Sequence, residues 1–345
     1  MRNQTILNEL FLSGLSDLPT LQLPLFLFFL LIYLLTLIWN LLIMVLIVTD
    51  SHLHVPMYFF LSNLAGLDLC CSSVTTPRML FDLHTKTRKI SIQACITQVF
   101  FFIFFASCEV FLLSVMSYDR YTAICLPLHY TQVMSWKVCV QLVSIVWCLS
   151  FSFSLVHALY AFNVTFCGSD IIESFFCDFP QLFRISCNDI LIYILLIFLL
   201  AGFTAIGSLI LTFLSYVYIF KTVLKIKVEG NRSKVFSTCT PHLTVMFIFY
   251  GSSCFNYFQL IGNHQFAGNK VVSMFYTVII PLLNPLIYSL RNQDIRKAFH
   301  DGLLKFIPNM HTFYLNLGTC ADSERDGNAR LELRSCPMSI YSKPS

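Results

Sequence analysis

Three groups of residues in this chain carry chemistry out of keeping with their surroundings. Asp119 and Arg120 stand just past a run, Ile96 to Val115, that is almost wholly apolar. Arginine keeps its charge at any accessible pH and offers five donors in a flat fork. At a bilayer edge it pairs with the adjacent carboxylate or trades it for another partner, which makes a two-state element. The blander role is a helix-end arginine that snorkels to the interface. Asp68 and Glu109 form the second group, each interrupting an apolar run. Carboxylates inside a membrane are costly and point to function. Two at similar depth cannot both ionise cheaply, so one takes a proton or a cation sits between them. Cys95, Cys167, Cys177 and Cys187 form the third group, the last three spaced ten apart. On an oxidising side of a membrane four cysteines allow three pairings, and sequence does not choose among them.

The elements that must position these groups are membrane spans. Of the 345 residues 57% are apolar and 12% charged, about half the usual charged share. A bilayer core needs about twenty apolar residues per helix. No Asp, Glu, Lys or Arg occurs between Asp17 and Asp50, Lys137 and Asp170, Asp189 and Lys221, Lys234 and Lys270, or Lys270 and Arg291. With the two runs that carry Asp68 and Glu109, this gives seven spans: 23–48, 57–81, 95–121, 139–160, 190–220, 236–261 and 271–290. The expected fold is an all-α membrane protein, a seven-transmembrane-helix bundle over 23–290. Residues 1–22 are a short, polar, mobile extracellular amino terminus. Over 291–306, Ile295, Ala298, Phe299, Leu303 and Phe306 share one helical face while Arg296, Lys297, His300 and Lys305 fall elsewhere. That spacing predicts a short amphipathic eighth helix on the inner membrane face. Residues 307–345 are expected to be a disordered cytoplasmic tail.

Lysines and arginines in the loops orient the bundle, eleven on the carboxy-terminal side against seven on the other, which favours an outside amino terminus. The cluster from Arg78 to Lys89 runs against that bias. Asn3-Gln4-Thr5 is a glycosylation acceptor on the outer side, and Asn163-Val164-Thr165 falls there too. Asn231-Arg232-Ser233 has the same pattern on the expected inside, so a sequon alone orients little. The first apolar run is too long for the core of a cleavable signal peptide. The net charge of +4 is scattered or sits beside membrane, which implies no nucleic-acid partner. No Gly-rich phosphate loop, nucleophile–base pair or zinc-like spacing is visible, so no enzyme is implied.

Two polar features mark the bundle itself. Asn40 places an amide in the first span, where it needs a partner on a neighbouring helix. Pro285 in the last span frees a backbone carbonyl that Asn284 is placed to satisfy. Tyr288 follows one turn on, within reach of Arg120 and Tyr216.

Met116-Ser117-Tyr118-Asp119-Arg120-Tyr121-Thr122-Ala123-Ile124-Cys125 resembles the motif that closes the third helix of odorant receptors, a branch of the rhodopsin-like G-protein-coupled receptors. Pro56-Met57-Tyr58-Phe59-Phe60-Leu61-Ser62-Asn63-Leu64, Ser215-Tyr216, Lys234-Val235-Phe236-Ser237-Thr238-Cys239 and Pro281-Leu282-Leu283-Asn284-Pro285-Leu286-Ile287-Tyr288 are similar to the family in the same order. The likeness covers about residues 1–305. Ser117, Thr122, Trp39 before Asn40, and Pro241 depart from the commoner residues.

This resemblance implies a plasma-membrane receptor, multi-pass, with its amino terminus outside and carboxy terminus in the cytoplasm. Its ligand would be a small, mostly apolar odorant, and its partner a stimulatory heterotrimeric G protein that raises cyclic AMP. The implied switch comprises Asp119, Arg120, Tyr121, Tyr216, Asn284, Pro285 and Tyr288. The implied pocket comprises Phe102, Ile103, Ala106, Ser107, Phe203, Tyr250, Tyr257 and Thr277. Phe102 stands where amine-binding relatives carry an aspartate, which disfavours a cationic amine. The family pattern pairs Cys95 with Cys177 and Cys167 with Cys187, and favours a sodium ion at Asp68 and Glu109 as the one resident ion. Alternatives are a receptor of the same build for a non-olfactory metabolite or lipid, or a membrane transporter. Against the transporter stand the odd span count and the lack of an internal repeat.

Overall fold

The computed structural model describes residues 9–16, 18–85, 87–166, 169–187, 191–225, 235, 239–240, 242–252 and 268–306. Four complete spans are α1 (Pro19–Thr49), α2 (Pro56–Thr85), α3 (Ile92–Cys125) and α4 (Trp136–Phe162). The fifth, α5, is Leu191–Lys225, and His242–Ser252 is the described part of α6. The seventh, α7, runs from Gly268–Met274 through one π-helical stretch, Phe275–Ile279, into Ile280–Arg291. Five of these helices are long and apolar enough to cross a membrane. A separate unit holds α8 (Gln293–Phe306), where Ile295 and Ala298 are buried and Arg296, Lys297 and His300 exposed.

The four complete helices outrun the apolar windows at both ends. Pro19 sits in the first turn of α1, where its missing N–H costs nothing. Ser91 caps α3 by accepting from the Ala94 amide at 3.2 Å. The spans are apolar on nearly every face, so periodicity does not say which face is inside. The polar residues do. Asn40, Asp68, Thr75, Glu109, Ser117 and Asn284 are all buried, while Leu23 and Val48 are 65% and 70% exposed. Polar groups inward and hydrocarbon outward is the pattern a lipid solvent demands. Within the bundle α3 is central, packed on α2, α4 and α5, and α1 packs on α2 and α7.

One element departs from the all-α expectation. Strands β1 (Glu9–Leu12), β2 (Lys89–Ser91) and β3 (Ile171–Ile172) form a sheet in the order β2-β1-β3. β1 runs antiparallel to β2, with Leu10 opposite Ile90, and parallel to β3, with Leu12 opposite Ile172. The mobile amino terminus is therefore corrected for residues 9–16. The reason is an alternation that the helix reading passed over. Leu10 and Leu12 point inward beside Ile90, Cys95, Ile96, Val99 and Ile172, and Glu9 and Phe11 point out. After the strand, Gly14 takes φ +68°, and a Cβ there would lie 3.1 Å from the Arg88 guanidinium. Arg88 donates to the carbonyls of Ser13 and Ser16 and locks the turn.

Candidate functional site

At the far end of α3 from the sheet, Asp119 is buried and both its oxygens are engaged. Arg120 donates to Oδ2 from Nη2 at 2.5 Å and from Nε at 3.1 Å. Tyr130, in the short helix Tyr130–Val133 after α3, donates to Oδ1 at 2.8 Å. Burial and then the Asp119 charge push the Tyr130 phenol well above its ordinary value, so it stays a donor. Opposite, the Tyr216 hydroxyl lies 2.7 Å from His242 Nδ1, and His242 Nε2 lies 3.1 Å from the Leu113 carbonyl. A carbonyl only accepts, so Nε2 carries the proton and Nδ1 accepts from Tyr216. The bridge ties α5 to α6 and α6 to α3. Tyr288 on α7 is buried, and among the described residues its hydroxyl has no hydrogen-bond partner. Tyr216, His242 and Tyr288 all lie within electrostatic reach of Arg120. Tyr121 packs its ring 5.8 Å from Tyr218 and contributes to the apolar contact of α3 with α5.

In mid-bundle, Asn284 Nδ2 donates to Asp68 Oδ1 at 2.8 Å. The expectation that Asn284 satisfies the carbonyl freed by Pro285 is corrected here. That carbonyl belongs to Pro281, and Asn40 of α1 donates to it at 3.0 Å. A side chain from the neighbouring helix reaches the kink, whereas Asn284 is drawn to the stronger acceptor. Asp68 Oδ2 and Glu109 Oε1 are buried without partners among the described residues, and Cys71, one turn from Asp68, lies beside Glu109. Two orphaned carboxylate oxygens fit a hard cation, which takes oxygen ligands.

Below the sheet lies an aromatic roof. The Phe102 ring is 5.4 Å from Phe176 and 5.7 Å from Tyr276. Tyr276 is held by Asp178: its hydroxyl donates to Oδ2 at 3.2 Å and lies 3.0 Å from Ser273 Oγ. Asp178 Oδ1 also accepts from the Phe179 amide at 2.8 Å, starting the helix Phe179–Arg184. A disulfide joins Cys95 of α3 to Cys177, and the Cys177 amide donates to Gln98 Oε1 at 2.9 Å. Cys187 is also disulfide-bonded, while Cys167 lies outside the described residues. Ile103, Ala106 and Ser107 are half-buried on α3. Tyr250 of α6 and Ser208 of α5 approach to 2.5 Å through their hydroxyls. Thr277 is buried and donates to its own helix at the Ser273 carbonyl, 2.7 Å away. The backbone of Phe203 lies in α5, and its side chain is outside the described set, as are Tyr257 and Asn3.

Residues 29–305 match the family model described as Olfactory receptor. The chain belongs to the olfactory receptor family. It is 45% identical over 299 residues to human Olfactory receptor 5B12, covering 87% of this chain and 95% of that one. It is equally similar, at 45% over 303 residues, to mouse Olfactory receptor 8U3, covering 88% and 95%. Human Olfactory receptor 5B21 is 45% identical over 308 residues, covering 89% and 99%. The protein is thus a G-protein-coupled receptor of the multi-pass membrane kind and not an enzyme.

Sequence reasoning missed several residues of this receptor's site. His242 is one, because nothing in one dimension places it against Tyr216. Tyr130 was eleven residues from Asp119, too far for helix spacing to join them. Phe176, Asp178, Gln98 and Tyr276 became visible once the disulfide and the π-helical stretch set their positions. That stretch was the least legible signal, since no Pro or Gly within 275–279 announces it.

Proposed function

We propose that this olfactory receptor takes a small, mostly apolar odorant beneath the Phe102–Phe176–Tyr276 roof and activates a stimulatory heterotrimeric G protein, raising cyclic AMP. The observation that carries the reading is Arg120, clamped by Asp119 and close enough for its charge to be felt at Tyr216 and Tyr288. A ligand shifts such an equilibrium only by its difference in affinity between the two states. Tyr250 is the lever. Its hydroxyl joins α6 to α5 through Ser208 beside the expected pocket, so closure around an odorant turns α6. The Tyr216–His242 bridge then breaks and Arg120 leaves Asp119 for Tyr216 and Tyr288. The inner ends part and admit the carboxy-terminal helix of the G protein.

Ile103, Ala106 and Ser107 line the α3 side of the pocket, with Thr277 on α7. Asp68 and Glu109 would hold a sodium ion in the resting state, with Asn284 orienting Asp68. The ion supplies charge balance for two buried carboxylates. The Cys95–Cys177 disulfide supports a reading with that end outside. Asn3 then carries the glycan, and α8 lies along the inner leaflet.

Substituting Arg120→Ala tests this reading. Cyclic AMP responses to an active odorant are expected to vanish while surface labelling stays at the wild-type level. Full signalling by R120A refutes the switch.

A further inference from the structure

Between α5 and α6, near the end where Arg120 sits, the described residues leave a cavity of about 360 Å³. That falls within the range of small-ligand sites, roughly 300–1,000 Å³. Its walls include Phe213, Val217, Phe220, Thr240 and Leu243, with Lys221 at its rim. Phe213 is 68% exposed and Phe220 52%, so on a membrane-spanning helix they face hydrocarbon. A gap between two helices that opens to lipid forfeits contacts unless a chain fills it, and the bilayer supplies such chains at high concentration. The rim adds a sign. Lys221 stacks its ammonium 5.8 Å from the Tyr218 ring, and Lys225 follows one turn on, also exposed. Among the described residues neither lysine forms a salt bridge.

The geometry points to a binding site for an anionic phospholipid, one acyl chain in the α5–α6 cleft and its headgroup phosphate on Lys221 and Lys225. A neutral lipid fits the walls equally but leaves both ammonium groups without a counter-charge among the described residues. Tyr216 lines the same cleft, so the bound chain abuts the hydroxyl that bridges to His242 and favours α5 and α6 in their packed arrangement. The site requires neither an odorant nor a G protein.

The test uses the purified full-length receptor in lipid nanodiscs of phosphatidylcholine mixed with phosphatidylserine. A photoactivatable analogue of either lipid is included, and crosslinks are mapped by mass spectrometry. Both leaflets then hold the same lipids, so the readout is independent of membrane orientation. The serine lipid is expected to label the segments around Phe213–Lys225 and Thr240–Leu243 several-fold more than the choline lipid. Substitution K221Q with K225Q should bring that preference down to near one, each lysine contributing at most about fivefold. Filling the cleft with V217W should remove labelling at Leu243 by both lipids while the rest of the belt stays labelled, which also reports a folded receptor. Equal labelling by the two lipids, a preference untouched by K221Q with K225Q, or crosslinks spread evenly around the helices would overturn the assignment.

Discussion

At the end that carries the sheet, the outer one on the orientation proposed above, three segments from distant parts of the chain pair their backbones, and a disulfide ties α3 to the loop beyond α4. Arg88 and Gln98 add side-chain bonds to backbone groups. At the inner end the corresponding ties run between side chains: Arg120 and Tyr130 on Asp119, and Tyr216 on His242. Backbone pairing and a covalent bond have one arrangement. Side-chain donors in a low-dielectric interior can exchange acceptors at small net cost, provided a new partner lies near. The Tyr288 hydroxyl, which has no partner among the described residues, is such a candidate. On the proposed function, the contrast would let one bundle hold a ligand at one end and change shape at the other.

The contrast can be broken from either side. Replacing Cys95 and Cys177 by serine attacks the fixed end and should have the largest effect. The bond closes a loop of 82 residues, and losing a structural disulfide costs about 2–5 kcal/mol. Surface expression and thermal unfolding of the purified protein report it. Near-normal values would show that the sheet alone holds the outer end. Next, Asp119→Asn keeps the shape of the inner clamp but removes its charge. Charge-assisted hydrogen bonds contribute about 1.5–3 kcal/mol, so nucleotide exchange without ligand should rise about tenfold or more. Unchanged basal exchange by D119N would mean that Arg120 is held by something else. The smallest effect belongs to Tyr276→Phe, which removes one bond to Asp178 among many outer ties. A loss of about 1 kcal/mol in thermal stability is expected. A loss as large as that of the disulfide variant would place the rigidity of the outer end in the roof and not in the sheet.

The spans were legible because hydrocarbon solvent leaves so few choices. A charge-free window of the right length has to become a helix when no water can satisfy its backbone. The polar residues inside those windows were legible as important for the same reason. Their partners were not. Asn284 and Asn40 both looked like groups in need of a bond, yet which one serves the Pro281 carbonyl depends on how α1 lies against α7. Phe102 was found from its place on α3, while Phe176 and Tyr276, its ring neighbours, come from a loop and a π-helical stretch.

The sequence by itself determined the solvent of this protein, the number of crossings, and the family whose motifs it carries, because each follows from local composition and order. The tertiary structure alone decided which acceptor each buried donor uses, that residues 9–12 pair as a strand, and that a cleft remains between α5 and α6. Those outcomes depend on distances between segments far apart in the chain. In spans apolar on every face, no periodicity records which face will meet which neighbour.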